Sequence, residues 1–120
     1  MEISELVSYL FHSQTQTHIF HLQTTSYAEH KALQKFYEDI DGLIDGLVES
    51  YQGKYSIITG YTGFKIIDYN GNNQTIAYLE QLCEAVASTY ETLEDSYILN
   101  QLDEITTLIK STIYKLKNLN

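Results

Sequence analysis

The sequence predicts a single all-α domain built as a four-helix bundle, and three observations lead to this prediction. Apolar residues recur with the period of an α-helix in four separate stretches of the 120-residue chain. Proline, the strongest breaker of a helix, is absent. The chain length suits one domain, and we therefore expect residues 1–120 to share one hydrophobic core.

The first helix is expected over residues 3–23, although a polar run from Ser13 to Thr17 interrupts its apolar stripe. A cluster of small polar residues then predicts a break in the helix. Ser26 is expected to be the N-cap of the second helix, and Glu29, three residues later, is expected to complete a capping box.

The second helix is expected from Tyr27 to Gln52, with its end at Gly53. Its apolar positions follow a period of 3.6 residues without interruption. They are Leu33, Phe36, Tyr37, Ile40, Leu43, Ile44, Leu47, Val48 and Tyr51. This regularity predicts a long helix with one face in the core.

Residues 53–72 combine glycines with β-branched and aromatic residues. They predict either a short hairpin or an ordered loop carrying a helical turn. A connection of this length can span a bundle, so it allows the helices on either side to run parallel, joined by a crossover loop. That is the ferritin-like connectivity. The third helix is expected over residues 73–93 and the fourth over residues 97–116, joined by a tight corner.

Charge and cysteine content limit the classes of function. The formal net charge is −9, and an acidic surface repels phosphate, which argues against direct binding of nucleic acid. Cys83 is the one cysteine, so an intrachain disulfide is excluded and a reducing cytoplasm is expected. No apolar run reaches membrane-spanning length and no signal peptide is recognisable, so we expect no membrane association.

The four histidines, His12, His18, His21 and His30, all lie in the first quarter of the chain, and a series of carboxylates follows on the second helix. Imidazole and carboxylate together suit first-row metals such as iron, manganese or zinc. His12 is expected to be solvated.

Helix geometry limits how these residues can share a metal. His30 and Asp45 lie only about 60° apart around the second helix but about 22 Å apart along it. Asp45 and Glu49 are one turn apart on the same face. A shared site therefore needs an antiparallel partner helix, most simply the same helix of a second subunit across a two-fold axis.

The spacing of these residues resembles that of the ferroxidase residues in Dps, the ferritin-like mini-ferritins. His30 follows His18 by twelve residues, Asp45 follows fifteen residues later, and Glu49 four after that. In that family, two histidines come from one subunit and the two carboxylates from its two-fold partner. The resemblance implies an iron-binding ferroxidase that oxidises Fe(II) with peroxide or oxygen at an inter-subunit di-metal site. It also implies a homo-oligomer with a two-fold interface near the first two helices, as in the Dps cage of twelve subunits.

The chain is also similar to a family of short Dps-like proteins encoded by tailed phages, over residues 21–33, 51–55 and 114–116. This likeness implies a location in the host cytoplasm or in the virion. His21, with Leu22 and Gln23 after it, resembles the first Dps histidine motif in type, so His21 replaces or supplements His18 as a ligand.

Other positions depart from the Dps pattern. Gln34 stands where Dps has an acidic residue, four positions after the second histidine. The basic tail that binds DNA in some Dps proteins is missing, which again argues against nucleic acid as a partner. The alternative is a non-catalytic phage accessory or virion protein, which keeps the bundle and its interface without a working metal site.

Overall fold

The computed structural model describes all 120 residues and contains four α-helices and no β-strand. The helices are α1 (Ile3–Gln23), α2 (Tyr27–Lys54), α3 (Asn72–Tyr90) and α4 (Ser96–Asn118). The prediction of an all-α chain with four helices is confirmed. None of these helices combines the length and the apolar character needed to cross a membrane.

Contacts at the helix ends give the direction of each helix. α1 and α2 are antiparallel, joined by three residues. Lys54 at the end of α2 pairs with Asp95 at the start of α4, at 3.9 Å. Asn72 at the start of α3 donates to the carbonyl of Leu116 near the end of α4, at 2.8 Å. The amino terminus donates to Ser88 near the end of α3, at 3.0 Å. Each helix therefore runs antiparallel to its two neighbours.

The core is one cluster of 21 buried apolar residues, of which 20 lie on the four helices and one, Ile58, lies between α2 and α3. α4 shows why the pattern folds this way, since its buried side chains recur every three or four residues and so lie on one face. They are Thr112 and the apolar Ile98, Leu102, Ile105, Ile109 and Leu116. Burying a side chain of this size stabilises the fold by about 1.5–3 kcal/mol.

The start of α2 is capped as predicted, but its capping box closes differently. The Ser26 hydroxyl accepts from the backbone N–H of Glu29 at 3.2 Å. The Glu29 carboxylate does not return to the backbone of Ser26. It accepts instead from the hydroxyls of Thr24 and Tyr69. The N–H of Ser26 donates to Thr24 Oγ1 at 3.2 Å, so Thr24 links the two halves of the box.

Two predicted helix ends were wrong. α2 continues through Gly53 to Lys54, because Gly53 keeps a negative φ and does not form a left-handed cap. α3 ends at Tyr90, three residues earlier than expected. Thr92 donates through both its N–H and its hydroxyl to the carbonyl of Thr89, which tightens the chain into a turn.

Residues 55–71, which we call the covering segment, contain neither helix nor strand. Both predicted conformations, the hairpin and the loop with a helical turn, were therefore wrong. The segment lies along α1 and its polar groups bond to side chains of that helix. The bonding partners occur in the same order along α1 and along the segment, so the two run in the same direction. Ser8 bonds to Thr62, Gln16 to Ile67, and Gln23 to Tyr69.

Three of the five residues in the polar run of α1 are buried, whereas Gln14 is half-buried and Thr15 is exposed. Ser13, Gln16 and Thr17 have no exposed surface. Ser13 and Thr17 return their hydroxyl protons to carbonyls of their own helix, at 2.7 Å each. The Gln16 side chain donates to the carbonyl of Ile67 at 2.8 Å and accepts from its N–H at 2.9 Å. Of these three residues, only Gln16 bonds to the covering segment, whereas Ser13 and Thr17 lie on the face of α1 that carries the core residues Leu6 and Leu10.

We expect Gln16→Ala to lower the free energy of unfolding by about 1–3 kcal/mol, because it leaves the N–H and C=O of Ile67 without partners. Gln81→Ala is the matched control, since Gln81 is exposed on α3 and should change stability by less than about 0.5 kcal/mol. Urea denaturation measures both values. Equal effects of the two substitutions would contradict the role given to Gln16.

Candidate metal centre

His21 and His30 face each other where α1 ends and α2 begins. Their rings stack with centroids 3.6 Å apart and planes 17° from parallel. His21 Nδ1 lies 2.7 Å from the carbonyl oxygen of His30, and His30 Nδ1 lies 2.8 Å from the carbonyl oxygen of His21. Because a carbonyl oxygen only accepts, both Nδ1 atoms carry the proton.

This pairing determines what the other ring nitrogen can do. In the neutral ring, a proton on Nδ1 leaves a lone pair on Nε2, which can then bind a metal. A backbone carbonyl that holds Nδ1–H is a common way of orienting a metal-binding histidine. His21 is buried, with 6% of its surface exposed, and His30 is half-buried. The corner therefore presents two oriented imidazoles in the form that metals require.

His18 and Tyr37 complete what we call the histidine patch, together with His21 and His30. The His18 ring is exposed and stacks on Tyr37, with centroids 4.1 Å apart and planes 11° from parallel. The centroids of His18 and His21 are 5.8 Å apart. The Tyr37 hydroxyl lies 3.4 Å from His21 Nε2. The structure thus brings together three of the five residues predicted to bind metal.

Asp45 and Glu49, the other two predicted ligands, lie in the second half of α2, away from the patch. Both are exposed, and neither side chain forms an ion pair or a hydrogen bond. Within one chain, no three side chains of His, Cys, Asp or Glu are close enough to hold a metal ion. The carboxylates are therefore free to interact with another molecule.

His12 lies apart from the patch, and the expectation that it is solvated was wrong. Its ring is half-buried, with Nδ1 2.7 Å from the Tyr78 hydroxyl and Nε2 2.8 Å from the carbonyl oxygen of Lys65. The burial comes from the covering segment and from α3, both more than fifty residues away along the chain. No pattern near His12 in the sequence predicts these contacts.

Sequence reasoning also missed Tyr37 as a member of the patch. Tyr37 follows His30 by seven residues, which places it about 20° from His30 around α2. That spacing was available in the sequence. The aromatic side chain was instead assigned to the apolar stripe, where half-buried tyrosines are common.

These features define an all-α chain with a histidine patch at one corner of its four helices. The chain belongs to a family of unknown function, DUF5856, whose family model matches residues 21–116. The match begins at His21 and includes His30, Asp45 and Glu49, whereas His18 lies before it. No curated protein and no solved structure matches the chain.

We expect the four histidines to differ in tautomer. Neutral His21 and His30 should carry the proton on Nδ1, because that atom faces a carbonyl. Neutral His12 should carry it on Nε2, since that atom faces the Lys65 carbonyl. Long-range ¹H–¹⁵N correlation spectra distinguish the two forms. His18, which makes no hydrogen bond, is the internal control, and a shared tautomer for His12 and His21 would contradict the assignment.

Proposed function

We propose that this chain is a Dps-like ferroxidase, a homo-oligomer that binds Fe(II) between two subunits and oxidises it with peroxide or oxygen. One observation carries the proposal. His21 and His30 are both held through Nδ1, which leaves the lone pairs on Nε2; that of His30 has no partner, and that of His21 faces the Tyr37 hydroxyl at 3.4 Å, which iron would displace. His30 also stands at the Dps spacing from two carboxylates that have no partner in their own chain.

The helix directions support the ferritin-like connectivity that this proposal requires. α2 and α3 are both antiparallel to α1, and both are antiparallel to α4. They therefore run parallel to each other. The covering segment leads from the end of α2 back along α1 to the start of α3, which is the path of a crossover connection.

The two halves of the proposed centre come from different subunits. His30 and Asp45 are about 22 Å apart along a single helix, too far to bind one metal. A two-fold axis that sets two α2 helices antiparallel would bring His30 of one subunit next to Asp45 and Glu49 of the other. Two equivalent centres would then form in each pair of subunits.

The roles of the side chains follow from their chemistry. His30, with His18 or His21, would bind one Fe(II) through neutral imidazole nitrogens. Asp45 and Glu49 of the second subunit would bind or bridge the other iron, because anionic oxygen ligands stabilise the ferric product. A peroxide molecule would take one electron from each of two Fe(II) ions and leave as water after taking up protons. The net charge of −9 would raise the local concentration of Fe(II).

A second candidate function is a non-catalytic accessory or virion protein that acts by binding a partner. The observation that favours it is a row of exposed large apolar side chains along the covering segment, which is typical of interaction surfaces. They are Tyr55, Ile57, Tyr61, Phe64, Ile66 and Ile67. Under this reading, the histidine pairing would hold the α1–α2 corner and nothing more.

We expect Fe(II), added without oxygen and followed by peroxide, to give ferric absorbance with wild-type protein and far less with the double variant His30→Ala, Asp45→Ala. We expect this loss because each centre would lack one ligand from each of its two subunits. Asp103→Ala, which removes an exposed carboxylate from α4, is the control and should keep the wild-type rate. Equal rates in wild type and the double variant would instead support the partner-binding candidate.

Mixing single variants tests whether the centre is shared between subunits. Consider a dimer of one His30→Ala subunit and one Asp45→Ala subunit. One of its two centres keeps both His30 and Asp45, and the other centre has neither. Randomly mixed subunits should therefore recover roughly a quarter of the wild-type rate, while each variant alone stays inactive. Ferric absorbance after denaturing and refolding the two variants together measures the recovery. No recovery in dimers of confirmed composition would contradict a shared centre.

A further inference from the structure

His12 and Tyr78 form a hydrogen-bonded pair away from the histidine patch. The Tyr78 hydroxyl lies 2.7 Å from His12 Nδ1, and His12 Nε2 lies 2.8 Å from the carbonyl oxygen of Lys65. Because the carbonyl only accepts, Nε2 carries the proton of the neutral ring and Nδ1 has the lone pair. Tyr78 therefore donates its hydroxyl proton to His12.

The surroundings of this pair keep the phenol in its neutral form. Tyr78 packs against the core, and Tyr9 and Phe64 lie beside the pair, with the Tyr9 centroid 5.8 Å from that of Tyr78. Burial, with a smaller contribution from Tyr9, raises the pKa of Tyr78 far above its usual value. Loss of the proton alone is therefore unfavourable for Tyr78. When an electron leaves the ring, His12 is in place to take the proton.

We propose that Tyr78 and His12 form a redox-active pair, in which Tyr78 loses one electron to an external oxidant and passes its hydroxyl proton to His12. The O–H bond of Tyr78 breaks and a new N–H bond forms at His12 Nδ1. The products are a neutral tyrosyl radical and an imidazolium whose Nε2–H still donates to Lys65. The oxidant gains one electron, so charge and atoms balance.

The oxidant is a strong one-electron acceptor, such as the hydroxyl radical that Fe(II) and peroxide generate. Hydroxyl radical takes the electron and becomes hydroxide, which recovers the proton from His12 as water. The pair would then hold one oxidising equivalent on a defined side chain instead of leaving it to attack the chain at random. This reaction does not require the proposed iron centre, because any oxidant of sufficient strength starts it.

A column of aromatic rings links this pair to the corner that holds His21 and His30. The Phe20 ring meets Tyr78 edge-on at 6.2 Å between centroids and meets Tyr69 at 5.9 Å. The Tyr69 hydroxyl donates to Glu29, the residue before His30, at 2.6 Å. Phe20 is harder to oxidise than tyrosine, so an electron would tunnel past it from Tyr78 to Tyr69 without leaving a radical on Phe20. An oxidising equivalent formed at the corner would reach Tyr78 by this path through the protein interior.

The proposal is tested by oxidising the full-length, metal-free protein with photogenerated Ru(III) tris-bipyridine and freezing it for electron paramagnetic resonance. Wild-type protein labelled with ¹⁵N-histidine should give a tyrosyl radical coupled to a histidine nitrogen. Tyr78→Phe should lose the coupled signal, because the oxidised phenol is gone. His12→Gln should keep a folded chain but lose the nitrogen coupling. Thermal unfolding checks that each variant is folded.

Tyr114→Phe is the matched control, since Tyr114 is an exposed tyrosine outside the aromatic column and its loss should leave the coupled signal intact. A wild-type radical without nitrogen coupling would overturn the proposal. A coupled signal that survives in Tyr78→Phe and disappears in Tyr37→Phe would also overturn it, because the radical would then sit in the histidine patch. Because no iron is present, these results are independent of the ferroxidase proposal.

Discussion

The hydrogen bonds between α1 and the covering segment are the constraint on which the rest of the structure depends. A segment without helix or strand cannot pair its own backbone groups, so it needs partners elsewhere. Ser8, Gln16 and Gln23 supply them at successive points along α1. This attachment carries the chain back along the helix, so that α3 starts at the same end of the bundle as α2. The order and direction of the last two helices follow from it.

The same attachment forms the surroundings of His12 and also reaches the edge of the histidine patch. The middle of the segment places the Lys65 carbonyl against His12, which leaves Nδ1 of that ring to face Tyr78. Its end places Tyr69 against Glu29, beside the histidine patch. A connection that served only to join two helices would need neither contact. The segment therefore contributes to the chemistry of the chain as well as to its topology.

Local patterns in the sequence predicted what depends on near neighbours. The period of the apolar residues gave the four helices, and Ser26 was recognised as a cap because its partner is three residues away. The surroundings of His12 and the bonds of Gln16 depend on contacts across fifty or more residues, and the covering segment also bonds to Gln23 across 46. Such contacts leave no periodic pattern in the sequence, so the conformation of residues 55–71 could not be predicted from local spacing.

The candidate site could likewise be predicted from the sequence only in part. His18, His21 and His30 were predicted as ligands from the resemblance to Dps, and they do lie together at one helix junction. The reciprocal bonds that fix the tautomers of His21 and His30 could not be predicted, because they depend on the angle at which two helices meet. Asp45 and Glu49 lie where one chain gives them no partner, so their role stays a prediction about a second subunit.

The reciprocal pairing of His21 and His30 separates folding from reactivity. The junction uses only Nδ1–H of each ring and the backbone carbonyl of the other residue. The Nε2 atoms take no part in joining α1 to α2. A change confined to the Nε2 side of either ring would therefore leave the two bonds that hold the junction intact.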